Sequence, residues 1–182
     1  MFLFKPDWAT SEVMAFSLLI TGGARSGKSS FAEKQTLSYG TSVIYIATAK
    51  AYDQEMEKRI QIHKQRRGDE WLTINEPIEI ADKLFALDGQ GACLVECLTL
   101  WLSNLMFAEK DVSAATSSLI EAINARRDPV ILVTNEVGSG IIPENELARR
   151  FRDEAGRLNQ VVAEAVNEVY TCISGIPLRL KP

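Results

Sequence analysis

The chain has 182 residues, 46% apolar, 24% charged and 8% aromatic, and its 20 Lys+Arg against 24 Asp+Glu leave a formal charge of −4. At roughly 150 residues per domain this is one domain with enough chain to bury a core, and the acidic balance argues against a polyanion-binding surface or a nucleic-acid partner. The single histidine, His63, excludes multi-histidine metal centres and imidazole relays; three cysteines with no close CxxC pair argue against a disulfide framework or zinc site and for a reduced, cytoplasmic setting.

Residues 1–16 read as an extension ahead of a nucleotide-binding domain over 17–182. They lack a basic segment followed by a continuous apolar stretch, so they do not form a secretory signal. No window reaches the ~20 apolar residues needed to span a bilayer, so no membrane partner is expected.

Ser17–Thr21 opens a series of short apolar, β-branched runs. Gly22, Gly23, Ala24, Arg25, Ser26, Gly27, Lys28 and Ser29 follow as a complete GxxxxGK(S/T) pattern, with helical sequence over 28–39 behind it. A strand before and a helix after are what make this pattern a phosphate-binding loop: glycines let backbone N–H groups curl around phosphate oxygens at a helix N-terminus. Lys28 is placed to reach the β- and γ-phosphates and the Ser29 hydroxyl to ligate Mg2+.

Val43–Ala47 reads as the next strand, and 52–67 as a helix. Tyr52, Met56, Ile60 and His63 fall within a face of roughly 80° at about 100° per residue. A histidine at that spacing suits a satisfied core position. The cations beside it, Arg59, Lys64, Arg66 and Arg67, equally suit a triphosphate whose departing pyrophosphate needs charge stabilisation. An imidazole with a pKa near ~6.5 is a competent nucleophile towards phosphorus at neutral pH. Spacing alone leaves both readings open.

Further along, 76–87, 99–108, 113–127 and 144–166 read as helices. Ala92–Glu96, Val130–Thr134 and Val169–Ile173 read as strands, with a candidate last strand at Leu178–Leu180. The alternation predicts an α/β fold, a mostly parallel sheet with helices on both faces and ligands at the carboxyl ends of the strands, and the phosphate loop makes it one of the P-loop NTPase class. A magnesium-side carboxylate is expected at a strand end, where Glu96 is the first candidate and Glu136 the second; either could instead cap a turn. Gly138 and Gly140 serve either a simple strand-to-helix turn or a loop lining a substrate entrance, ahead of a helix whose first turn holds Pro143 and Glu144.

The strings GGARSGKS, IYIATA, DQEMEKRIQIHKQRR, W-x-T with EP, ECLTLWLSNLMF and VTNEVGSGIIPENELARRFRDEAGRLNQ occur in this order. Together they resemble the bifunctional adenosylcobinamide kinase/adenosylcobinamide-phosphate guanylyltransferase family of cobalamin assembly, over residues 17 to about 180. The resemblance implies a RecA-like fold and two reactions. ATP or GTP phosphorylates the aminopropanol hydroxyl of adenosylcobinamide; GMP from GTP then passes through a histidine adduct to the cobinamide phosphate, giving adenosylcobinamide-GDP and pyrophosphate. The guanylylated position matches His63. The implied nucleotide contacts are Gly22–Ser29, Ala47, Thr48, Ala49, Lys64, Gln65, Arg66, Arg67, Asn75 and Glu96. Asn75 departs from the glutamate frequent in the family and offers no carboxylate, and Ile62 stands where some relatives carry a second histidine. The resemblance also implies homo-oligomers, trimers among them, with sites at subunit borders. The rival readings are a monofunctional P-loop kinase of a small metabolite, with His63 structural, and a nucleotide-dependent switch protein.

Overall fold

The computed structural model describes residues 16–50 and 67–182. Strand β1 (Ser17–Gly22) leads into helix α1 (Lys28–Leu37), and β2 (Val43–Ala47) precedes β3 (Trp71–Asn75) and α2 (Ile80–Ala86). Then come β4 (Cys93–Glu96), α3 (Leu98–Phe107), α4 (Val112–Ala125), β5 (Val130–Val133), α5 (Glu146–Ala165), β6 (Glu168–Ile173) and β7 (Ile176–Lys181). The strands form one seven-stranded sheet in the order β3-β2-β4-β5-β1-β6-β7. All neighbours are parallel except β6 and β7. This is the expected α/β architecture.

Strand alternation splits the core into two layers. Leu18, Ile20, Tyr45, Leu94, Ile131 and Val133 point to the face where Ala32 of α1 packs. Leu19, Ile44, Ile46, Val95 and Leu132 point to the other, against Ile80 and Leu84 of α2, Leu98 and Trp101 of α3, Leu119 of α4 and Leu158 of α5. Both faces are therefore covered, which is why the central strands lack an apolar–polar rhythm.

The sheet differs from the sequence expectation at its two margins. Trp71–Asn75, read only as a motif, is an edge strand parallel to β2, and only its Trp71 is buried. At the opposite margin β7 runs antiparallel to β6 and spans Ile176–Lys181, longer than expected. Ser174 at φ 52° and Gly175 at φ 85° make the two-residue turn with positive φ that suits the twist of a hairpin. Helix starts also move. The segment expected to be helical from 76 begins at Ile80, because Pro77 disfavours helix at Glu76 and the Glu76 carboxylate accepts from the N–H groups of Ile78 and Glu79. The last long helix starts at Glu146, after Pro143 and Glu144, because the Asn145 side chain caps it by accepting from Ala148 N–H at 3.1 Å. The expected helix over 52–67, and with it His63, Lys64, Gln65 and Arg66, lies outside the described residues except at Arg67, which is not helical.

Candidate active site

The phosphate loop leaves the carboxyl end of β1 and is shaped by two glycines. Gly22 sits at φ 147°, where a Cβ would lie 2.6 Å from both the Cys172 carbonyl and the Ser26 hydroxyl. Gly27 takes φ 91°, and a Cβ there would lie 3.0 Å from the Gly175 Cα in the β6–β7 turn. The Gly175 N–H donates to the Ser26 carbonyl at 2.9 Å, so the hairpin tip braces the loop from outside. Gly23, Ala24 and Arg25 are exposed along the curve, with Arg25 at φ 56°.

Helix α1 begins without a side-chain cap and without an acidic residue in its first turn. Its leading N–H groups are left for an anion, which the partial positive charge of the helix end also favours. Lys28 is 8% exposed and its Nζ donates to the Gly23 carbonyl at 3.0 Å. The ammonium is thereby folded back over the loop it would share with phosphate. The buried Ser26 hydroxyl has no hydrogen-bond partner among the described residues.

Strand β5 lies between β1 and β4, yet the Ser29 hydroxyl donates to Glu96 Oε1. Helix α1 makes this possible by packing across β5 towards β4. The Tyr45 hydroxyl donates to Glu96 Oε2 at 3.3 Å, so both carboxylate oxygens are held. Burial, and then the Glu96 charge, push the Tyr45 phenol well above its ordinary range and keep it a donor. The Arg67 guanidinium lies 3.6 Å from the centre of the Tyr45 ring, and its Nε and Nη1 have no hydrogen-bond partner among the described residues. Glu136, the alternative carboxylate, accepts from Gly138 N–H at 2.5 Å and closes its own loop. Glu96 is thus the strand-end acid that meets the phosphate loop.

The remaining expected contacts spread along the same edge of the sheet. Ala47 pairs with Glu96 on one side and Asn75 on the other, and Ala49 follows half-buried. Asn75 is exposed at the end of β3. Thr48 is fully buried: its hydroxyl accepts from Cys97 N–H at 2.7 Å and donates to the Cys97 carbonyl at 2.8 Å. Its own carbonyl accepts from Asn104 Nδ2 at 2.8 Å, and the same amide donates to the Pro77 carbonyl at 3.0 Å. Trp101 adds a bond from Nε1 to the Ile78 carbonyl at 2.7 Å. Thr48 therefore ties the ends of β2 and β4 together.

Sequence reasoning passed over Tyr45, whose signal was a phenol inside the otherwise apolar VIYIA. All three cysteines are buried and unpaired. Burial pushes the Cys93 thiol up to about 12 and the Cys97 thiol to about 11. Neither is a nucleophile at neutral pH. Among the described residues no group of His, Cys, Asp and Glu could by itself hold a metal, and no helix is long and apolar enough to cross a membrane.

Known proteins resemble this chain in sequence and shape. It is 44% identical over 166 residues to the bifunctional adenosylcobalamin biosynthesis protein CobP of Pseudomonas aeruginosa, covering 90% of this chain and 96% of that one. It is 41% identical over 180 residues to the bifunctional adenosylcobalamin biosynthesis protein CobU of Escherichia coli, covering 90% of this chain and 99% of that one. In fold, a protein from Pyrococcus horikoshii OT3 superposes with a TM-score of 0.56 at 7% identity, covering 91% of this chain and 86% of that one. The sequence profile of one family matches residues 18–180. The chain belongs to the cobinamide kinase / cobinamide phosphate guanyltransferase family.

Proposed function

We propose that the chain carries out both of its family's reactions on adenosylcobinamide in cobalamin nucleotide-loop assembly, with a GMP–histidine intermediate at His63. The observation that carries this reading is the Ser29–Glu96 contact beside a folded-back, buried Lys28, a phosphate loop already closed on its carboxylate.

In the kinase step the substrate hydroxyl attacks the γ-phosphorus of ATP or GTP, the β–γ P–O bond breaks and the nucleoside diphosphate leaves. The loop N–H groups and Lys28 hold the phosphates in line and take up charge developing on the transferring group. In the second step a ring nitrogen of His63 attacks the α-phosphorus of GTP and the α–β bond breaks. Pyrophosphate leaves, with Lys64, Arg66 and Arg67 balancing its charge and Gln65 beside them. A phosphate oxygen of the cobinamide phosphate then attacks the same phosphorus, breaking the P–N bond and freeing His63. The two Arg67 donors that lack a partner among the described residues support its place at the phosphates.

Mg2+ fits the donors present, since the Ser29 hydroxyl and Glu96 carboxylate are hard oxygens held together at the loop. When bound it neutralises phosphate charge. Ala47, Ala49 and Asn75 line the nucleoside side of the strand ends, where the Asn75 amide suits a ribose or guanine edge. The segment at Gly138 and Gly140 lines the corrinoid entrance, supported by the exposed Ile141 and Ile142 beside it. A homo-oligomer, with trimer the first expectation, is supported by the exposed row Ile173, Ile176, Leu178 and Leu180 on the outer hairpin. The setting is cytoplasmic.

The test supplies cobinamide with ATP and then GTP. Mass spectrometry should find cobinamide phosphate first, then cobinamide-GDP with pyrophosphate released. Phosphorylation without pyrophosphate would leave a monofunctional kinase, and nucleotide hydrolysis indifferent to cobinamide a switch protein.

A further inference from the structure

Asn135 is the second residue beyond β5, the strand between the phosphate-loop strand and the Glu96 strand. Val133 pairs with Ile20 on one side and Glu96 on the other. By strand alternation Asn135 continues the face of Ile131 and Val133, the face on which α1 lies. The next residue ties the segment to the loop: Glu136 N–H donates to the Gly22 carbonyl at 3.1 Å.

The backbone of Asn135 is gripped by a closed circuit of side chains. Its N–H donates to Thr99 Oγ1 at 2.7 Å. The Thr99 and Thr134 hydroxyls are 3.3 Å apart, and Thr134 donates its single proton to Asn159 Oδ1 at 2.7 Å, so Thr99 is the donor between them. Asn159 Nδ2 then donates to the Asn135 carbonyl at 3.2 Å, closing the ring where it began. Thr99 and Thr134 are buried. The half-buried Asn135 carboxamide, in contrast, makes no hydrogen bond to a described residue. A backbone fixed from two helices, carrying an unused amide at the end of the strand that lies between the phosphate-loop strand and the Glu96 strand, is the arrangement of a substrate-contacting group.

We propose that Asn135 is a catalytic residue of the kinase step, its Nδ2–H donating to the terminal phosphate of the bound triphosphate, with Thr99 and Asn159 as positioning residues. The carboxamide distinguishes triphosphate from diphosphate and holds the γ-phosphoryl group in line for the incoming hydroxyl. This rests on the phosphate-loop reading of the site.

The test titrates MgADP and the magnesium complex of β,γ-imido-ATP into wild type, Asn135→Ala and Asn135→Asp, followed by initial rates of cobinamide phosphorylation. Aspartate keeps the shape and loses the donor. Both variants should bind ADP within about 2-fold of wild type and the triphosphate analogue about 10- to 100-fold more weakly, the span for one hydrogen bond to a charged group. Their kcat should fall with KM for cobinamide unchanged. Asn159→Ala should lower kcat in the same direction with ADP affinity kept. Equal losses for ADP and the analogue, or wild-type discrimination in Asn135→Asp, would overturn the assignment. Failure of wild type itself to bind either nucleotide would instead overturn the site reading beneath it.

Discussion

The Ser29 hydroxyl donates to the Glu96 carboxylate although the strand carrying Glu96 is not a neighbour of the strand feeding the loop. The contact joins a helix start to a strand end across β5, and the Tyr45 hydroxyl secures the other carboxylate oxygen. Replacing Glu96 with Gln removes charge and keeps shape; replacing Ser29 with Ala removes the hydroxyl. Each change is expected to lower Mg2+-supported turnover by about 10²-fold, near ~2.7 kcal/mol of transition-state stabilisation. Initial rates across a magnesium titration read this, and unchanged rates would contradict the role of the pair.

Loop geometry carries a second expectation. Gly27→Ala puts a Cβ at φ 91° and 3.0 Å from Gly175 Cα. The cost should be about 1–3 kcal/mol, seen in denaturant unfolding, together with weakened nucleotide binding. Gly140→Ala, with nothing within 4 Å of the added carbon, should leave both unchanged.

Arg126 is 2% exposed, and its guanidinium donates to the carbonyls of Leu84 at 2.7 Å, Gly91 at 3.0 Å and Asp128 at 3.4 Å. It ties the end of α2 to the turns before β4 and β5, on the side of the sheet away from the phosphate loop. Arg126→Met strands those carbonyls and should cost about 3 kcal/mol of stability. Rates measured below the lowered unfolding temperature should match wild type.

The buried thiols predict an alkaline limit. Their ordinary value is 9.0, and burial raises Cys93 to about 12 and Cys97 to about 11. Between these values the folded state binds more protons than the unfolded chain, so stability is complete below about pH 9 and declines as pH rises through 11. Cys93→Ala/Cys97→Ala should flatten that slope in denaturation curves taken from pH 8 to 10.5. Native alkylation of both thiols at pH 8 should be slow and become complete on unfolding.

What was legible in the sequence followed the strength of local signals. The phosphate loop could be read because GGARSGKS dictates its own turn, and Glu96 because it ends an apolar run. Trp71–Asn75 escaped because an edge strand with one buried residue carries no continuous apolar run. The helix starts at Ile80 and Glu146 moved because Glu76 and Asn145 act through side-chain caps that periodicity does not register. At the site, Tyr45 beneath Glu96 and the circuit around Asn135 join residues far apart in the chain. Only the strand order, with β2 beside β4 and β5 between β4 and β1, brings them together.

The proposed carriage of GMP on His63, the chain's only histidine, is open to direct test. Incubation with α-labelled GTP, acid treatment and mass analysis of wild type and His63→Ala test it most directly. Wild type should carry an acid-labile GMP adduct and the variant none, while the variant should still phosphorylate cobinamide. A GMP adduct persisting on His63→Ala would contradict it.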